Sequence, residues 1–115
     1  MKFLLLPNLT RENAFEVTKN VCQRLDEMKS EYFFEDSIDE KIKEFTSAPF
    51  FEESLAMDKC DIVIAIGGDG SIIHAAKKAA IKGKPVLGIN AGNLAFMAGV
   101  ENNELFLLKN LITGN

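Results

Sequence analysis

The chain has 115 residues, 47% of them hydrophobic and 26% charged, and a formal net charge of −4. This length suits a single domain with its own hydrophobic core, and the composition is that of a globular protein rather than a disordered one. The acidic balance, with a pI near 5.0, argues against nucleic acid as a partner, because nucleic acids are bound through basic surfaces.

The first predicted element is a strand over residues 2–6, closed by Pro7 and Asn8. Its apolar residues follow one another without alternation, which is typical of a strand buried on both faces of a parallel sheet. The run is too short to span a membrane or to form the core of a signal peptide, and no later run approaches the length of a span. The sequence therefore predicts a cytoplasmic protein without a membrane partner.

An amphipathic helix is predicted next, with Thr10 as a candidate N-cap. Residues 31–34, which are rich in aromatics, are interpreted either as a second strand or as an edge or loop. We expect a short helix from about Ile38, a mobile connection up to Phe51, and another helical turn over residues 52–57. The first helix takes its apolar face from helically spaced positions, namely Ala14, Val17, Val21, Leu25 and Met28.

The chain contains two cysteines, Cys22 and Cys60, and one histidine. Without a CxxC pair these residues are too few for a structural zinc site, so no metal ligands are predicted. Cys22 falls on the apolar helix face and Cys60 begins an apolar strand, which favours two small buried hydrophobes in a reducing compartment. A disulfide between them is the alternative.

The second half of the chain predicts a β-α-β unit. A buried strand over residues 61–66, a helix over 71–82 ended by Gly83, and a strand over 85–89 should form a right-handed crossover with parallel strands. The helix is expected to turn one set of apolar residues inward, Ile72, Ile73, Ala76, Ala79 and Ala80. Its lysines are expected to face solvent, namely Lys77, Lys78 and Lys82.

A last helix, ended by Gly114, is predicted from the apolar residues Leu105, Leu108, Leu111 and Ile112. Parallel strands that alternate with helices indicate an α/β fold. We predict a three-layer, Rossmann-like domain with an open parallel sheet of about four strands.

The stretch GGDGS, residues 67–71, lies between the buried strand and its helix. Ligands of open parallel sheets bind beyond the carboxyl ends of the strands, and glycines with helix-start amides suit a phosphate there. The strict dinucleotide fingerprint is absent because Ile73 stands at the place of its third glycine, and the Walker A motif is absent as well. Asp69 beside an anion-binding loop favours action on substrate or metal. The alternative is that Asp69 caps the helix.

Residues 67–99, GGDGSIIHAAKKAAIKGKPVLGINAGNLAFMAG, resemble the N-terminal domain of NAD kinases. That family shares a GGDG(T/N) loop, the following Ala-rich helix, and a GIN-x-G-x-LGF segment after the next strand. GGDG alone also occurs in diacylglycerol kinases, sphingosine kinases and phosphofructokinases, so the second motif carries the assignment. The resemblance is strong over residues 60–99 and looser elsewhere.

The resemblance implies transfer of the terminal phosphoryl group of ATP, or of polyphosphate in some members, to the 2′-hydroxyl of the adenosine ribose of NAD. The product would be NADP, and Mg²⁺ is expected to accompany ATP rather than to sit in a protein cage. By position, Asp69 matches the family's acid, thought to be the base for that hydroxyl. The nucleotide-binding positions that the resemblance carries over are Gly67, Gly68, Gly70, Ser71, Ile73, His74, Asn93 and Phe96.

Within this set, the three glycines match the phosphate-contacting turn, and Ser71 keeps the hydroxyl of the family's threonine. His74 matches a position near an NAD phosphate, and Phe96 matches an aromatic of the adenine pocket. The alternatives are an exposed helix histidine without a task and a core phenylalanine. Ala95 departs from the family's usual glycine, and Asn103-Glu104 precedes the place of the family's Asn-Glu motif, so that role is not carried over.

In the family, a β-rich domain follows and supplies the Asn-Glu motif, much of the NAD pocket and the oligomer contacts. We therefore expect residues 1–115 to be one nucleotide-binding domain, inactive or nearly so alone, from a protein that is a homo-oligomer at full length. A lipid or sugar kinase of the wider GGDG group is one alternative, although GINAGNLAF lacks the Pro-x-Gly-Thr-x-Asn-Asp pattern of lipid kinases. A non-catalytic nucleotide-binding or regulatory module is another.

Overall fold

The computed structural model of the chain describes residues 1–10, 13–38 and 40–90. Its elements are β1 (Lys2–Pro7), α1 (Ala14–Glu27), β2 (Glu31–Glu35), a 3₁₀ helix (Glu40–Glu44), β3 (Phe50–Phe51), α2 (Glu53–Lys59), β4 (Ile62–Gly67), α3 (Asp69–Ile81) and β5 (Val86–Asn90). The predicted last helix, together with Asn93, Ala95, Phe96 and Asn103-Glu104, lies outside the described residues. Within the described ranges, every helix is too short or too polar to cross a lipid bilayer.

In the described part of the chain, the strands form one five-stranded sheet in the order β3-β2-β1-β4-β5, and every neighbouring pair is parallel. The prediction of an open parallel α/β sheet is confirmed. The described sheet has five strands where about four were predicted, because the short strand β3 adds one. From β1 the chain builds outward through β2 and β3, and it then returns to add β4 and β5 on the other side. The strand order thus reverses between β1 and β4, which is where open α/β sheets bind their ligands.

Helices cover both faces of the sheet, which makes the domain three-layered. Successive side chains of a strand point to opposite faces, so Leu5 of β1 packs in the core beneath α1 while Leu4 packs in the core beneath α2 and α3. Both are fully buried. This two-sided burial is why the strands are continuously apolar in sequence.

The start of α1 differs from the prediction. The helix begins at Ala14 after Asn13, and no side chain caps it, so Thr10 as the N-cap is wrong. Instead, the backbone N–H and the hydroxyl of Thr10 donate to Asn8 Oδ1 at 3.2 and 2.6 Å. A short Asx-type turn of this kind holds the segment directly after β1.

The aromatic segment after α1 is a strand in the interior of the sheet rather than an edge or loop. β2 pairs with β1 on one side and with β3 on the other. The connection expected to be mobile up to Phe51 ends in β3, because Phe50 stacks on Phe34 at 5.5 Å and Phe51 meets Phe33 edge-on at 5.3 Å. A strand of only two residues gains little stability from its own length, and these ring contacts stabilise it.

Helix α3 begins at Asp69, two residues before the predicted start. Ala75 and Ala79 are its buried residues, whereas Ile73 is 55% exposed, so the inward placement of Ile73 is wrong, as is that of Ala80. The helix buries a narrow stripe of small residues, because α3 lies close to β4 and β5.

The close approach of α3 to the sheet is clearest at Gly88. A Cβ added to Gly88 would lie 2.7 Å from Cγ2 of Ile72, so a larger residue there would force Ile72 or the helix to shift. At its other end α3 closes as predicted at Gly83, which has φ +67. The N–H groups of Gly83 and Lys84 donate to Ala80 O and Ala79 O, the pattern of a Schellman motif.

Gly88→Ala is expected to lower the free energy of unfolding by about 1–3 kcal/mol, because overpacking forces the helix away from the sheet. Equilibrium urea denaturation measures the change. Gly70→Ala is the matched control, since a Cβ there meets no atom of the described residues within 4 Å. Adding Ile72→Ala should recover part of the loss at Gly88, and equal costs at the two glycines would contradict the packing argument.

Both cysteines of the chain are free and buried, and they lie in core clusters on opposite faces of the sheet. The disulfide alternative is therefore wrong. Burial raises the pKa of the Cys22 thiol to about 12, although a hydrogen bond with Tyr32 opposes the shift. Burial also raises the pKa of Cys60, against the opposing charge of Lys84.

Because the thiolate is the reactive form, both thiols are expected to resist iodoacetamide at pH 8 in the folded chain. Both should be alkylated readily after unfolding in guanidinium chloride, and mass spectrometry of the intact chain counts the labels. Rapid labelling of either cysteine in the folded chain would contradict the burial and the raised pKa values.

Candidate functional site

A cleft of about 660 Å³ opens at the carboxyl edge of the sheet. Its walls come from the end of β1 and the turn after it, from the end of β2, and from the first turns of α3. It lies beside the β1–β4 pair, where the strand order reverses. Its volume is within the range of small-molecule sites, and its position is the one expected for this class of sheet.

One side-chain hydrogen bond joins the two loops at the floor of the cleft. Asn8 Nδ2 donates to Ser71 Oγ at 2.6 Å, and the Asn8 backbone N–H donates to Ile66 O at 2.7 Å. Gly67 lies directly beneath, where an added Cβ would come within 3.0 Å of Ser71 Cβ and 3.1 Å of Asn8 Cβ. This close approach of the loops accounts for a glycine at position 67.

The N-terminus of α3 is open toward the cleft. Gly68 is the N-cap and has no side chain to accept from the first amides, so the alternative in which Asp69 caps the helix is wrong. Within the described part of the chain, a Cβ at Gly70 would meet no atom within 4 Å, and Gly70 lines the cleft. Unsatisfied N–H groups and the helix dipole favour an anion at such a position.

Asp69 is the first residue of α3, and its side chain is exposed. Its Oδ1 accepts a hydrogen bond from Asn90 Nδ2 at 2.9 Å. Asp69 does not line the 660 Å³ cleft, whereas Gly70 and Ser71 do. The GGDG turn therefore presents its carboxylate beside the end of β5 and its open helix start toward the cleft.

The remaining predicted binding residues of α3 divide in the same way. His74 is exposed and lines the cleft, on the same wall as Gly70 and Ser71. Ile73 is exposed and does not line it. Within the part of the chain that the structure describes, no group of three or more His, Cys, Asp or Glu side chains could hold a metal ion.

Lys78 is not a solvated surface lysine, and that prediction is wrong. Its Nζ lies 2.7 Å from Glu53 Oε1 and 3.3 Å from Glu35 Oε1, and its side chain is 27% exposed. Burial lowers the pKa of Lys78, but the hydrogen bond to Glu53 and the charge of Glu35 outweigh it, so the pKa lies above its ordinary value. The lysine is thus engaged with two carboxylates at the cleft wall.

Sequence reasoning missed three residues of this region, Asn8, Glu35 and Asn90. Each ends or directly follows a strand of the parallel sheet, and this placement was the available signal, because carboxyl ends of parallel strands converge on one edge. Glu35 is 9% exposed, and its pairing with a lysine 43 positions away was visible only in three dimensions.

Lys78→Met is expected to lower the free energy of unfolding by about 1–3 kcal/mol, because it leaves the buried Glu35 carboxylate without its cation. Urea denaturation measures the change, and Lys77→Met, on the exposed face of the same helix, is the control. Adding Glu35→Gln should recover part of the loss. Equal effects of the two lysine substitutions would contradict the bridge.

The same bridge predicts how stability depends on pH. The hydrogen bond and charge of Lys78 hold the pKa of Glu53 below its ordinary value, so this pair stabilises the fold above the ordinary pKa and is lost as the pH falls through the lowered one. The raised pKa of Lys78 makes its contribution complete below the ordinary lysine value. The stability difference between the parent chain and Lys78→Met should therefore shrink in acid.

Comparison with known proteins places this chain in a family. The family model described as the ATP-NAD kinase N-terminal domain matches residues 3–115. The chain is 31% identical to an NAD kinase of Chlorobaculum tepidum over 116 residues, covering 100% of the chain and 39% of that protein. It is 32% identical to an NAD kinase of Chlorobium phaeovibrioides over 91% of the chain and 36% of that protein.

A third relative, an NAD kinase of Psychrobacter arcticus, is 43% identical over 75 residues, which are 64% of the chain and 23% of that protein. The chain thus spans less than two fifths of the length of these relatives, with 39% the largest share among the three.

Proposed function

The chain belongs to the NAD kinase family as its N-terminal domain, and from this premise we propose that it forms the nucleotide-binding half of an enzyme that phosphorylates NAD. The reaction transfers the terminal phosphoryl group of ATP, or of polyphosphate, to the 2′-hydroxyl of the adenosine ribose. The observation that carries the proposal is the exposed Asp69 carboxylate beside an uncapped helix start and a cleft at the strand-order reversal.

Phosphoryl transfer depends mainly on positioning and electrostatic stabilisation, because its transition state is loose. The open amides at the start of α3, where Gly70 lines the cleft, suit nucleotide phosphates. Ser71 and His74 line the same cleft and are proposed to contact those phosphates. Gly67 and Gly68 support the turn, and Ile73 flanks it on the exposed side.

Asp69 is proposed to receive the proton of the 2′-hydroxyl. The ribose oxygen bonds to the terminal phosphorus as the bond from that phosphorus to the bridging oxygen breaks, and the leaving group is ADP or the shortened polyphosphate. The proton passes to the Asp69 carboxylate and then to solvent. An exposed carboxylate of this kind is a competent proton acceptor and can also orient the hydroxyl.

Magnesium is proposed to enter with ATP. Mg²⁺ usually keeps several waters and is held through substrate phosphates with one or two carboxylates. Such an ion neutralises the phosphate charge that an acidic chain, at net −4, would otherwise repel.

The remaining parts of the site are proposed from the family. Asn93 and Phe96 are proposed to contribute to the NAD pocket, with Phe96 against the adenine. The rest of the enzyme is proposed to complete that pocket and to form a homo-oligomer. The isolated chain is expected to show little or no transfer activity.

Asp69→Asn in the full-length enzyme is expected to lower kcat by about 10²- to 10⁴-fold, because it removes the proton acceptor while keeping the shape of the side chain. NADP formation is followed enzymatically, and calorimetry measures NAD binding, which should change little. Asp58→Asn, an exposed carboxylate of α2 that pairs with Lys82, is the control and should keep parental turnover. A near-parental kcat for Asp69→Asn would remove Asp69 from catalysis.

A further inference from the structure

The end of β5 supports Asp69 through a residue that the motif comparison did not single out. In the β4–β5 ladder, Gly67 lies opposite Asn90, and Asp69 follows Gly67 by two residues at the start of α3. The register therefore brings the last side chain of β5 against the first side chain of the helix. Asn90 Nδ2 donates to Asp69 Oδ1 at 2.9 Å.

We propose that Asn90 is a positioning residue that holds the Asp69 carboxylate in the orientation needed to accept the proton of the acceptor hydroxyl. The inference rests on the proposed function and deepens it. Asn90 acts through Asp69 and is not itself assigned a contact with the nucleotides.

The chemistry of the pair suits this task. An ionised carboxylate only accepts hydrogen bonds, so the amide must present its NH₂ group to Asp69. The bond engages Oδ1, and Oδ2 is the oxygen proposed to accept the proton. An amide also carries no charge, so it orients the carboxylate without forming the ion pair that a lysine or arginine would form.

The backbone explains why such a restraint is needed. Asp69 is exposed on the first turn of a helix, where its side chain has free rotamers and solvent on one side. Asn90 ends a strand that is paired along its length with β4, and this pairing holds the Asn90 backbone in place. The short Asn90 side chain therefore restrains the carboxylate through its hydrogen bond. A displacement of a reacting group by about 1 Å costs on the order of 10²-fold in rate.

The first test is Asn90→Leu in the full-length enzyme, which keeps the approximate shape of the side chain and removes the donor. We expect kcat to fall about 10- to 100-fold, with the KM for NAD changed by less than about threefold. Asn20→Leu, an exposed asparagine of α1 on the opposite face of the sheet, is the matched control. A kcat within about twofold of the parent enzyme would overturn the proposal.

The second test is a double-mutant cycle with Asp69→Asn. If Asn90 acts through Asp69, adding Asn90→Leu to Asp69→Asn should change kcat by less than about twofold, because the carboxylate it orients is already gone. If the two losses multiply, Asn90 acts independently of Asp69 and the proposal fails. A purely structural role would also multiply, since destabilisation does not depend on the carboxylate.

Asn90→Asp keeps the test valid if the leucine variant does not fold. It replaces the donor by an acceptor of the same size, so it should lower kcat at least as much as Asn90→Leu while thermal unfolding and NAD binding stay near parental values. Parental turnover for Asn90→Asp would overturn the proposal.

These experiments test the positioning role of Asn90 separately from the catalytic role of Asp69. A full loss for Asp69→Asn with parental turnover for both Asn90 variants overturns the positioning role alone. Parental turnover for Asp69→Asn overturns the catalytic assignment, and the positioning role falls with it.

Discussion

The parallel pairing of β4 with β1 on one side and β5 on the other is the constraint on which the candidate site depends. The register sets Pro7 against Ile66 and Gly67 against Asn90, so three chain segments far apart in sequence end at the same edge. β4 is buried along its whole length and lies between β1 and β5. The hydrogen bonds Asn8–Ser71 and Asn90–Asp69 are consequences of that register.

The glycines around α3 perform different physical tasks even though they look alike in sequence. Gly67 and Gly88 permit packing, since an added Cβ would meet Ser71 and Asn8 at one and Ile72 at the other. Among the described residues, no atom lies within 4 Å of a Cβ added at Gly70, so packing within that part of the chain does not account for this glycine. The buried residues Ala75 and Ala79 are also small, so they too let the helix lie close above the sheet.

In the proposed function, the start of α3 rather than a lysine attracts the phosphate. Lys78 lines the cleft but is engaged by Glu35 and Glu53, and the chain as a whole is acidic. Backbone amides and the helix dipole hold an anion without changing net charge. The ion pairs of Lys78 with Glu35 and Glu53 instead join α3, which forms one wall of the cleft, to β2 and to α2.

The sequence by itself determined the α/β class, the β-α-β unit, the end of α3 at Gly83 and the membership suggested by the GGDG and GIN segments, because local periodicity and turn chemistry are short-range properties. Only the tertiary structure decided the strand order, the two-residue strand β3, the engagement of Lys78 and the contact of Asn90 with Asp69. Each of these depends on partners distant in sequence, such as Phe34 for Phe50 or Glu35 for Lys78. The wrong predictions for Thr10 as N-cap and for Ile73 as a buried residue have the same origin. Helix propensity and apolar spacing are compatible with several neighbouring helix starts and several helix orientations, and packing against the sheet selects one of them.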